Sequence, residues 1–369
     1  MSEWQNTTLG DVITLHYGKA LKTQNRIVGN IPVYSSAGIT GYHNEPLVMS
    51  KGIIIGRKGT VGKVYYSPEP FWCIDTAYYV LPNETKYDFI WLYYQLGTIG
   101  LEELNEDSAV PGLNRTTAYS QDILIPSIAE QKAIASVLSS LDDKIDLLHR
   151  QNKTLESMAE TLFRQWFVEE AQDDWERKPL TKIATFTNGL ACQKYPPKKG
   201  ELGLPVLKIK ELNSGITDSS DVATKDVKPD YIVEHGDIIF AWSASLMVKI
   251  WSGERCVLNQ HLFNVKSNKF PKWFIYEWCK YYLDEFISIS QSHATTMGHI
   301  KRKDLDEAIA LIPPKDELDA MDIEMSALFE SKVHKLRQIQ TLEKLRDTLL
   351  PKLMSGEVRV SYTPEEIKQ

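Results

Sequence analysis

Residues 134–166 of the chain read IASVLSSLDDKIDLLHRQNKTLESMAETLFRQW, and large apolar side chains recur in this stretch at alternating steps of four and three. Such heptad spacing is typical of a helix that packs lengthwise against another helix. A polar residue at a packing position, here Asn152, fixes the register of the pairing at a cost in stability. The predicted packing seam of this first long helix is Ile134, Leu138, Leu141, Ile145, Leu148, Asn152, Leu155 and Leu162.

The first long helix has a recognisable start. Ser127 is a suitable N-cap, and Glu130 lies three residues later, where it completes a capping box. About 37 helical residues give a rod of roughly 55 Å, since each residue adds about 1.5 Å. A second long helix is predicted from Glu317, and we expect Pro351 to end or kink it. Its predicted seam includes Leu336, Ile339, Leu342 and Leu349.

The two long helices belong to a larger repeat, because the whole chain consists of two diverged copies of one sequence pattern. WQNTTLGDVITLHYGKAL from Trp4 matches WERKPLTKIATFTNGLAC from Trp175 at an offset of 171 residues. The offset is 185 where Phe89 pairs with Phe274, and 187 from Pro126 and Pro313 through the long helices. A period this long indicates a duplicated domain rather than a solenoid. The predicted segments are two globular domains, 1–127 and 175–316, and two helical regions, 128–174 and 317–369.

The fold class predicted for each copy is α+β. Short β-branched and aromatic runs such as KGIIIG and GDIIFAW, bounded by Gly, Pro or Ser, indicate strands. FIWLYYQL and FIYEWCKYYL, at equivalent positions, indicate one buried helix per copy whose Trp and Tyr side chains form core. We expect the two long helices to pair as an antiparallel coiled coil within the chain. The alternative is a coiled coil between two chains, which an obligate dimer would favour.

The composition is that of a globular protein without a membrane span. No apolar run approaches the roughly 20 residues that cross a bilayer, and the N-terminus lacks a signal peptide, so we expect a cytoplasmic protein. The four scattered cysteines indicate free buried thiols. Net charge is −7, yet residues 175–316 carry 20 Lys and Arg against 17 Asp and Glu, while residues 128–174 carry 5 against 10. If the chain holds DNA, partners are expected to supply much of the phosphate-neutralising charge.

Motifs for catalysis or metal binding are not recognisable. GRKGTVGKV, from Gly56 to Val64, resembles a phosphate-binding loop, but its glycines are one residue too far apart and Val64 replaces the magnesium-binding hydroxyl. Three histidines, His261, His293 and His299, could converge in the fold, but core or loop roles are favoured for them. We therefore predict a chain with no catalytic residue and no metal or cofactor of its own.

The same residue types that read DNA bases recur in corresponding loops of the two copies. Arg and Lys suit guanine, Asn and Gln suit adenine, and Ser and Thr are more permissive. The candidates in the first copy are Ser35, Ser36, Thr40, Tyr42, His43, Asn44, Arg57, Lys58, Thr60, Lys63, Asn114 and Arg115. Those in the second copy are Lys208, Lys210, Trp242, Ser243, Ser245, Lys249, Thr295, Thr296, His299, Lys301, Arg302 and Lys303.

The chain contains, in order, IPVYSSAGITGYHN, GRKGTVGKVYY, PGLN, IPS followed by EQKAIASVL, LFRQWF, a second such unit and LRDTLLPKLMSGEVRV. From end to end, this succession resembles the specificity subunits of type I restriction-modification enzymes. The resemblance implies two target recognition domains that read the two halves of a split, asymmetric site in double-stranded DNA. It also implies long helices that pair antiparallel and dock two methyltransferase subunits and the restriction subunits, with no membrane involved. S-adenosylmethionine, ATP and Mg would then bind to those partner subunits. Leu318 departs from the pattern, because the first copy has Gln131 there, so contacts at the two ends are expected to differ.

Two rival interpretations belong to other classes of protein. One is a coiled-coil adaptor whose two domains bind proteins without reading DNA sequence. The other is a phosphate-cleaving enzyme that uses Gly56 to Val64.

Overall fold

A computed structural model describes residues 4–83, 85–104, 112–292 and 298–361. The chain divides into two compact units, one formed by Met1–Lys144 with Glu343–Gln369 and the other by Ile145–Leu342. Each unit therefore contains one globular domain together with parts of both long helices. Within the described residues, no helix combines the length and the hydropathy that crossing a bilayer requires.

The first unit is built from short strands around one buried helix. Its strands form sheets of order β2-β8-β5-β6, β4-β3-β7 and β1-β9. The elements are β1 Gln5–Thr8, α1 Leu9–Val12, β2 His16–Tyr17, β3 Ile31–Ser35, β4 Gly38–His43, β5 Gly52–Gly56, β6 Val64–Ser67, β7 Trp72–Cys73, β8 Ala77–Val80, α2 Phe89–Leu96, α3 Arg115–Tyr119, β9 Asp122–Ile125 and the start of α4, Ile128–Arg164.

The second unit repeats this plan. Its sheets have the orders β11-β18-β15-β16, β13-β12-β17-β14 and β10-β19, so the first and last match the corresponding sheets of the first unit strand for strand. The elements are β10 Glu176–Pro179, α5 Leu180–Ile183, β11 Thr185–Asn188, β12 Leu204–Leu207, α6 Ile209–Ser214, β13 Val222–Ala223, β14 Ile232–Val233, β15 Ile238–Ala241, β16 Met247–Ile250, β17 Cys256–Leu258, β18 Leu262–Lys266, α7 Lys272–Tyr281, α8 Leu283–Ser292, α9 Arg302–Glu307, β19 Ile309–Ile312 and α10 Lys315–Ser355. The duplication predicted from the sequence is thus a duplication of topology.

The aromatic helices α2 and α7 lie in the cores, as predicted. Trp91 and Leu92 on α2, and Trp273 and Phe274 on α7, are almost fully buried. The α2 helix begins at Asp88, whose carboxylate accepts hydrogen bonds from the amides of Ile90 and Trp91 at 3.1 and 2.9 Å. Burying one large apolar side chain stabilises a fold by about 1.5–3 kcal/mol, so these helices are the principal apolar anchors of their domains.

Helix α4 begins where predicted, but only half of the expected capping box forms. The Glu130 amide donates to Ser127 Oγ at 3.3 Å. The buried Glu130 carboxylate instead accepts hydrogen bonds from Trp4 Nε1, at 3.2 Å, and from the Arg359 guanidinium. Charge pairing with an arginine satisfies a buried carboxylate better than a backbone amide does, which explains the exchange.

The two long helices run antiparallel, as predicted, and the pairing is visible within each unit. In the first unit, Asp142 Oδ1 pairs with Arg346 Nη1 at 2.9 Å. In the second unit Glu156 Oε2 pairs with Lys332 Nζ at 3.1 Å, and the apolar cluster between the helices is Ile145, Leu148, Ile339 and Leu342. From the first ion pair to the second, the residue number rises on α4 and falls on α10. The two helices belong to one chain and therefore run in opposite directions.

The predicted seam residues are buried or half-buried, but many of them face the globular cores. Ile134 and Leu138 pack in the core of the first unit, and Leu162 packs against the core of the second. The remaining seam positions Leu141, Leu155, Leu336 and Leu349 are half-buried, and Asn152 is buried. Each end of α4 therefore belongs to a domain core, and helix-to-helix packing is concentrated in its middle.

Helix α10 does not end at Pro351 but continues to Ser355. A proline inside a helix costs about 3 kcal/mol or more, because it removes a hydrogen bond and crowds the preceding turn. The next turn, however, buries Leu353 and Met354 in the core of the first unit. Burial of two large side chains offsets that cost, which sequence alone does not reveal.

Gln131 and its counterpart Leu318 differ for a structural reason. Gln131 is fully buried, accepts from the Asp88 amide at 2.7 Å and donates to the Pro126 carbonyl at 2.9 Å. Its amide therefore ties the start of α4 to the start of α2 and is not exposed to a partner. The predicted free, buried state holds for all four cysteines, Cys73, Cys192, Cys256 and Cys279.

Candidate nucleic-acid interface

A few backbone contacts bring distant parts of the first domain together at one surface. Lys58, just after β5, forms an isolated antiparallel bridge with Gly112, just before α3. The Leu113 amide donates to the Arg57 carbonyl at 2.8 Å, and the Arg57 amide donates to the Thr76 carbonyl at 2.9 Å. We call the side chains collected here, Tyr17, Arg57, Lys58, Thr76 and Arg115, the bridge site of the first domain.

The second domain repeats these contacts at equivalent positions. Ser243 forms an isolated antiparallel bridge with His299. The Ile300 amide donates to the Trp242 carbonyl at 3.1 Å, and the Trp242 amide donates to the His261 carbonyl at 3.4 Å. The bridge site of the second domain is therefore Asn188, Trp242, Ser243, His261 and Arg302. The sequence offsets of 171, 185 and 187 residues relate the two sites member by member.

The first bridge site is cationic and aromatic. The Arg57 guanidinium lies 5.0 Å from the centroid of the Tyr17 ring and 5.7 Å from that of Tyr78. The Arg115 guanidinium lies 5.2 Å from the Tyr17 ring on the same surface. Arg57 Nη1 also donates to the Asp75 carbonyl at 3.0 Å. Cation–π contacts and this hydrogen bond hold the Arg57 guanidinium in one orientation.

The cations of this site have no carboxylate partner among the residues that the structure describes. Over the described part of the chain, Arg57, Lys58 and Arg115 form no ion pair with a carboxylate, and Lys58 and Arg115 are exposed. Three unpaired cations on one small surface, in a chain of net charge −7, produce a local positive potential that suits phosphate groups.

The second bridge site is a mostly uncharged network. Trp242 Nε1 donates to Asn188 Oδ1 at 3.1 Å, and its ring stacks on Phe263 with 5.6 Å between centroids. Ser243 Oγ lies 3.0 Å from His261 Nδ1, and Gln260 Nε2 lies 3.3 Å from His261 Nε2. This arrangement presents neutral donors and acceptors where the first domain presents guanidinium groups.

Backbone strain marks the same place in the second domain. Ala244 has φ of 59°, and among the described residues it is the one non-glycine with positive φ. Gly59, which also lies three residues after the end of the equivalent strand, has φ of 82°. The Ala244 amide donates to the Gly298 carbonyl at 2.9 Å, which helps to hold this conformation. A left-handed alanine costs about 1–2 kcal/mol, and such strain clusters at functional sites.

The structure brings six of the predicted DNA-binding residues to the bridge sites and three more beside them along the chain. Arg57, Lys58 and Arg115 belong to the first site, and Trp242, Ser243 and Arg302 belong to the second. His299 forms the bridge with Ser243 and contacts the Trp242 ring. Asn114 and Lys301 flank the arginines, and Asn114 caps α3 through its side chain. Thr295 and Thr296, like His293, lie outside the described residues.

Other predicted residues have structural partners instead of a free surface. Ser35, Ser36 and His43 are buried, as is Ser243 within the second bridge site, and His43 Nδ1 accepts from the Ile27 amide at 3.0 Å. Lys249 Nζ donates to the Leu212 carbonyl and to Asn213 Oδ1, and burial lowers its pKa. The lysines paired with carboxylates are Lys63 with Glu102, Lys208 with Asp221 and Lys303 with Glu307. The remaining candidates are exposed but form neither bridge: Thr40, Tyr42, Asn44, Thr60, Lys210 and Ser245.

Sequence reasoning missed Tyr17, Asn188, Thr76 and Gln260. Tyr17 and Asn188 lie at the same repeat position and each contacts the residue that follows the central strand, Arg57 or Trp242. Pairing the two copies position by position across all loops would have identified both. Within the described ranges, no group of three His, Cys, Asp or Glu is suited to holding a metal.

The segment from Gly56 to Val64 is a hairpin connection and not a phosphate-binding loop. The Gly62 amide donates to the Gly56 carbonyl at 2.8 Å, and the Gly56 amide donates to the Lys63 carbonyl at 2.8 Å. Strand β6 follows at once and pairs antiparallel with β5. A phosphate-binding loop leads into a helix whose N-terminus faces the phosphate, and that helix has no place here.

Known proteins share both the sequence pattern and the fold. A family model described as "Type I restriction modification DNA specificity domain" matches the chain twice, at residues 1–157 and 172–344. The specificity subunit of the type I restriction enzyme MjaIX of Methanocaldococcus jannaschii is 27% identical over 344 residues, covering 85% of this chain and 79% of that protein. A putative MjaX specificity subunit of the same organism is 25% identical over 340 residues, covering 83% and 77%.

A solved structure confirms the architecture. The crystal structure of the S subunit of a type I restriction-modification system from M. genitalium has a TM-score of 0.62 to this chain at 16% identity. The alignment covers 98% of this chain and 97% of the other. Both bridge sites fall inside the two family matches. The chain therefore belongs to the type I restriction-modification DNA specificity family, as a specificity subunit with two DNA specificity domains.

Proposed function

We propose that each domain reads one half of a split, asymmetric target in double-stranded DNA through its bridge site. The observation that carries this proposal is one backbone arrangement, bridge and hydrogen bonds included, that presents different side chains in the two domains. Because the two domains share this backbone arrangement, both sites would meet a duplex in the same way. Because their side chains differ, the two domains would select different base sequences.

Electrostatics support a reader that works with partners. Arg57, Lys58, Arg115 and Arg302 lie at the bridge sites without a carboxylate partner among the described residues, whereas residues 128–174, most of which belong to helix α4, carry twice as many acidic as basic residues. Acidic helices repel phosphate groups and suit basic surfaces of other proteins. Modification and restriction subunits, which would bind S-adenosylmethionine, ATP and Mg, are the proposed partners, and the chemistry of the system is theirs.

Two methyltransferase subunits are proposed to dock on the long helices at repeat-equivalent positions. Met158 on α4 and Leu345 on α10 are 187 residues apart, the offset of the helical repeat, and are 48% and 44% exposed. A large apolar side chain exposed at the same position of both copies is what two identical partners would contact. Met158→Glu and Leu345→Glu should each remove one methyltransferase subunit from the complex, measured by native mass spectrometry. Ile323→Glu is the control, because Ile323 is exposed but its repeat counterpart is Ser136.

The DNA-reading proposal is tested by the modified motif itself. Methylome sequencing of cells that carry the chain and its methyltransferase subunits reports both halves of the target and the spacer. Tyr17→Ala and Asn188→Ala form a matched pair, because they alter the same exposed position of the two domains. The first should relax base preference in one half of the motif and the second in the other half. Relaxation of both halves by one variant, or an unchanged motif with both, would refute the assignment.

A further inference from the structure

The two bridge sites share one cation and differ elsewhere. Arg115 and Arg302 occupy the same repeat position, each as the first residue of a short helix, and both are exposed. Arg57 and Trp242 also occupy one position, but a guanidinium in the first domain is replaced by an indole in the second. The comparison separates what both halves of a target have in common from what distinguishes them.

Phosphates are common to every DNA sequence, whereas base edges are not. Contacts to phosphates fix the position of a protein on the duplex, and contacts to base edges select the sequence. An arginine retained in both copies therefore suits a phosphate, and a position that differs between the copies suits a base. Under this assignment Arg115 and Arg302 are anchors, and position 57 of the first domain selects a base.

The environment of Arg57 suits guanine. Tyr17 and Tyr78 hold the guanidinium, and its Nη1 donates to the Asp75 carbonyl. No carboxylate among the described residues pairs with it, so two of its five coplanar N–H donors can match O6 and N7 of guanine in the major groove. Because these contacts fix the guanidinium before DNA binds, less side-chain entropy is lost on binding. Trp242 has a single donor, Nε1, and that donor is already bound to Asn188.

We propose that Arg57 reads a guanine in the target half bound by the first domain, while Arg115 and Arg302 hold phosphates. This rests on the proposed DNA-reading function and adds the identity of one base. The second domain has no arginine at the position of Arg57, so the same contact is not made in its half.

The test uses the complex of the full chain with its methyltransferase subunits and a duplex that carries its methylated motif. Each guanine of the motif is replaced in turn by 7-deazaguanine, which lacks the N7 acceptor, and affinity is measured by fluorescence anisotropy. At one guanine, in one half of the motif only, this replacement should weaken binding of the duplex by about fivefold or more. With Arg57→Ala the unmodified target should bind about 5- to 150-fold more weakly, and the 7-deazaguanine effect at that position should vanish.

Charge-preserving and anchor variants separate base reading from phosphate binding. Arg57→Lys retains the charge but not the planar fork, so it should fail to restore the preference for guanine. Arg115→Ala and Arg302→Ala should weaken all duplexes alike and lower the salt dependence of binding by about one ion each. These two variants are matched controls at one repeat position.

Three results would overturn the proposal. They are a motif without guanine in either half, a 7-deazaguanine effect that persists in Arg57→Ala, and full rescue by Arg57→Lys. Each of these leaves sequence-specific binding intact. Loss of the DNA-reading function would look different, because the wild-type complex would then bind the motif and a shuffled duplex equally well.

Discussion

Glu277 is a buried carboxyl at a position where the other domain is apolar. It is 4% exposed on α7, and the equivalent residue of α2, 185 positions earlier, is the fully buried Leu92. Burial raises the pKa of Glu277 to about 7 from an ordinary value of 4.5, although Lys280 and Lys332 act in the opposite direction. The native protein therefore holds a proton up to about pH 7 that the unfolded chain releases near pH 4.5.

This difference in proton binding sets the pH dependence of stability. The stability that the protonated Glu277 allows is fully present below pH 4.5 and is lost as pH rises from 4.5 through 7, because over this range the unfolded chain releases the proton that the folded state keeps. A pKa raised by about 2.5 pH units corresponds to about 3 to 4 kcal/mol, at about 1.4 kcal/mol per unit. Glu277→Gln removes the titration. Relative to wild type, its free energy of unfolding should therefore increase by about 3 kcal/mol between pH 4.5 and pH 7.5.

The assay is urea denaturation at a series of pH values, with hydrogen exchange of the α7 amides as a local measure. Glu277→Leu, which installs the residue of the first domain, should show the same trend. Glu330→Gln is the control, since Glu330 is exposed on α10 and its removal should leave the pH profile as in wild type. Parallel pH profiles for wild type and Glu277→Gln would show that this carboxyl does not titrate near neutrality and would refute the reasoning.

Three further substitutions test other features. Asp142→Ala should cost the first unit about 1–3 kcal/mol in thermal unfolding, because its carboxylate accepts from Tyr94 Oη at 2.5 Å and from Arg346 at 2.9 Å; an unchanged Tm would contradict this. Asn152→Leu should stabilise the helix pair by about 1–3 kcal/mol in urea denaturation, because both amide atoms of the buried Asn152 lack a partner within the described residues; destabilisation would show that the amide is satisfied. Gly59→Ala should destabilise by about 1 kcal/mol through its positive φ, since its added Cβ has space, whereas Ala244→Gly should not destabilise; equal effects would exclude backbone strain at Ala244.

The parts of the fold that the sequence predicted depend on long, regular patterns. The heptad of α4 and the offset of the repeat extend over dozens of residues, so local exceptions do not hide them. The sequence left open whether α10 ends or kinks at Pro351, because its continuation to Ser355 depends on burial of Leu353 and Met354 in the core of the first unit, most of which is far away in the sequence. The helix propensity of the residues around Pro351 does not depend on that distant core, so it cannot predict the burial.

The candidate site was predicted in part for a similar reason. Residue type alone identified Arg57, Lys58 and Arg302 as DNA-binding candidates, but it also selected Ser35, Ser36 and His43, which are buried. Tyr17 lies on a two-residue strand whose only sheet partner is β8, so its proximity to Arg57 follows from the tertiary fold. Only the repeated bridges show which loops of each domain come together.

The first unit joins the beginning of the chain to its last described residues, and this affects folding during translation. Glu130 receives the Arg359 guanidinium, and Leu353 and Met354 complete the core, only after those residues have left the ribosome. At about 5–20 residues per second, the interval between residues 144 and 359 is roughly 10 to 40 seconds. The second unit, whose residues 145–342 are contiguous, has all of its chain before the first unit does. The domain made first is therefore the one finished last, and during that interval its unfilled apolar surface is a natural substrate for chaperones.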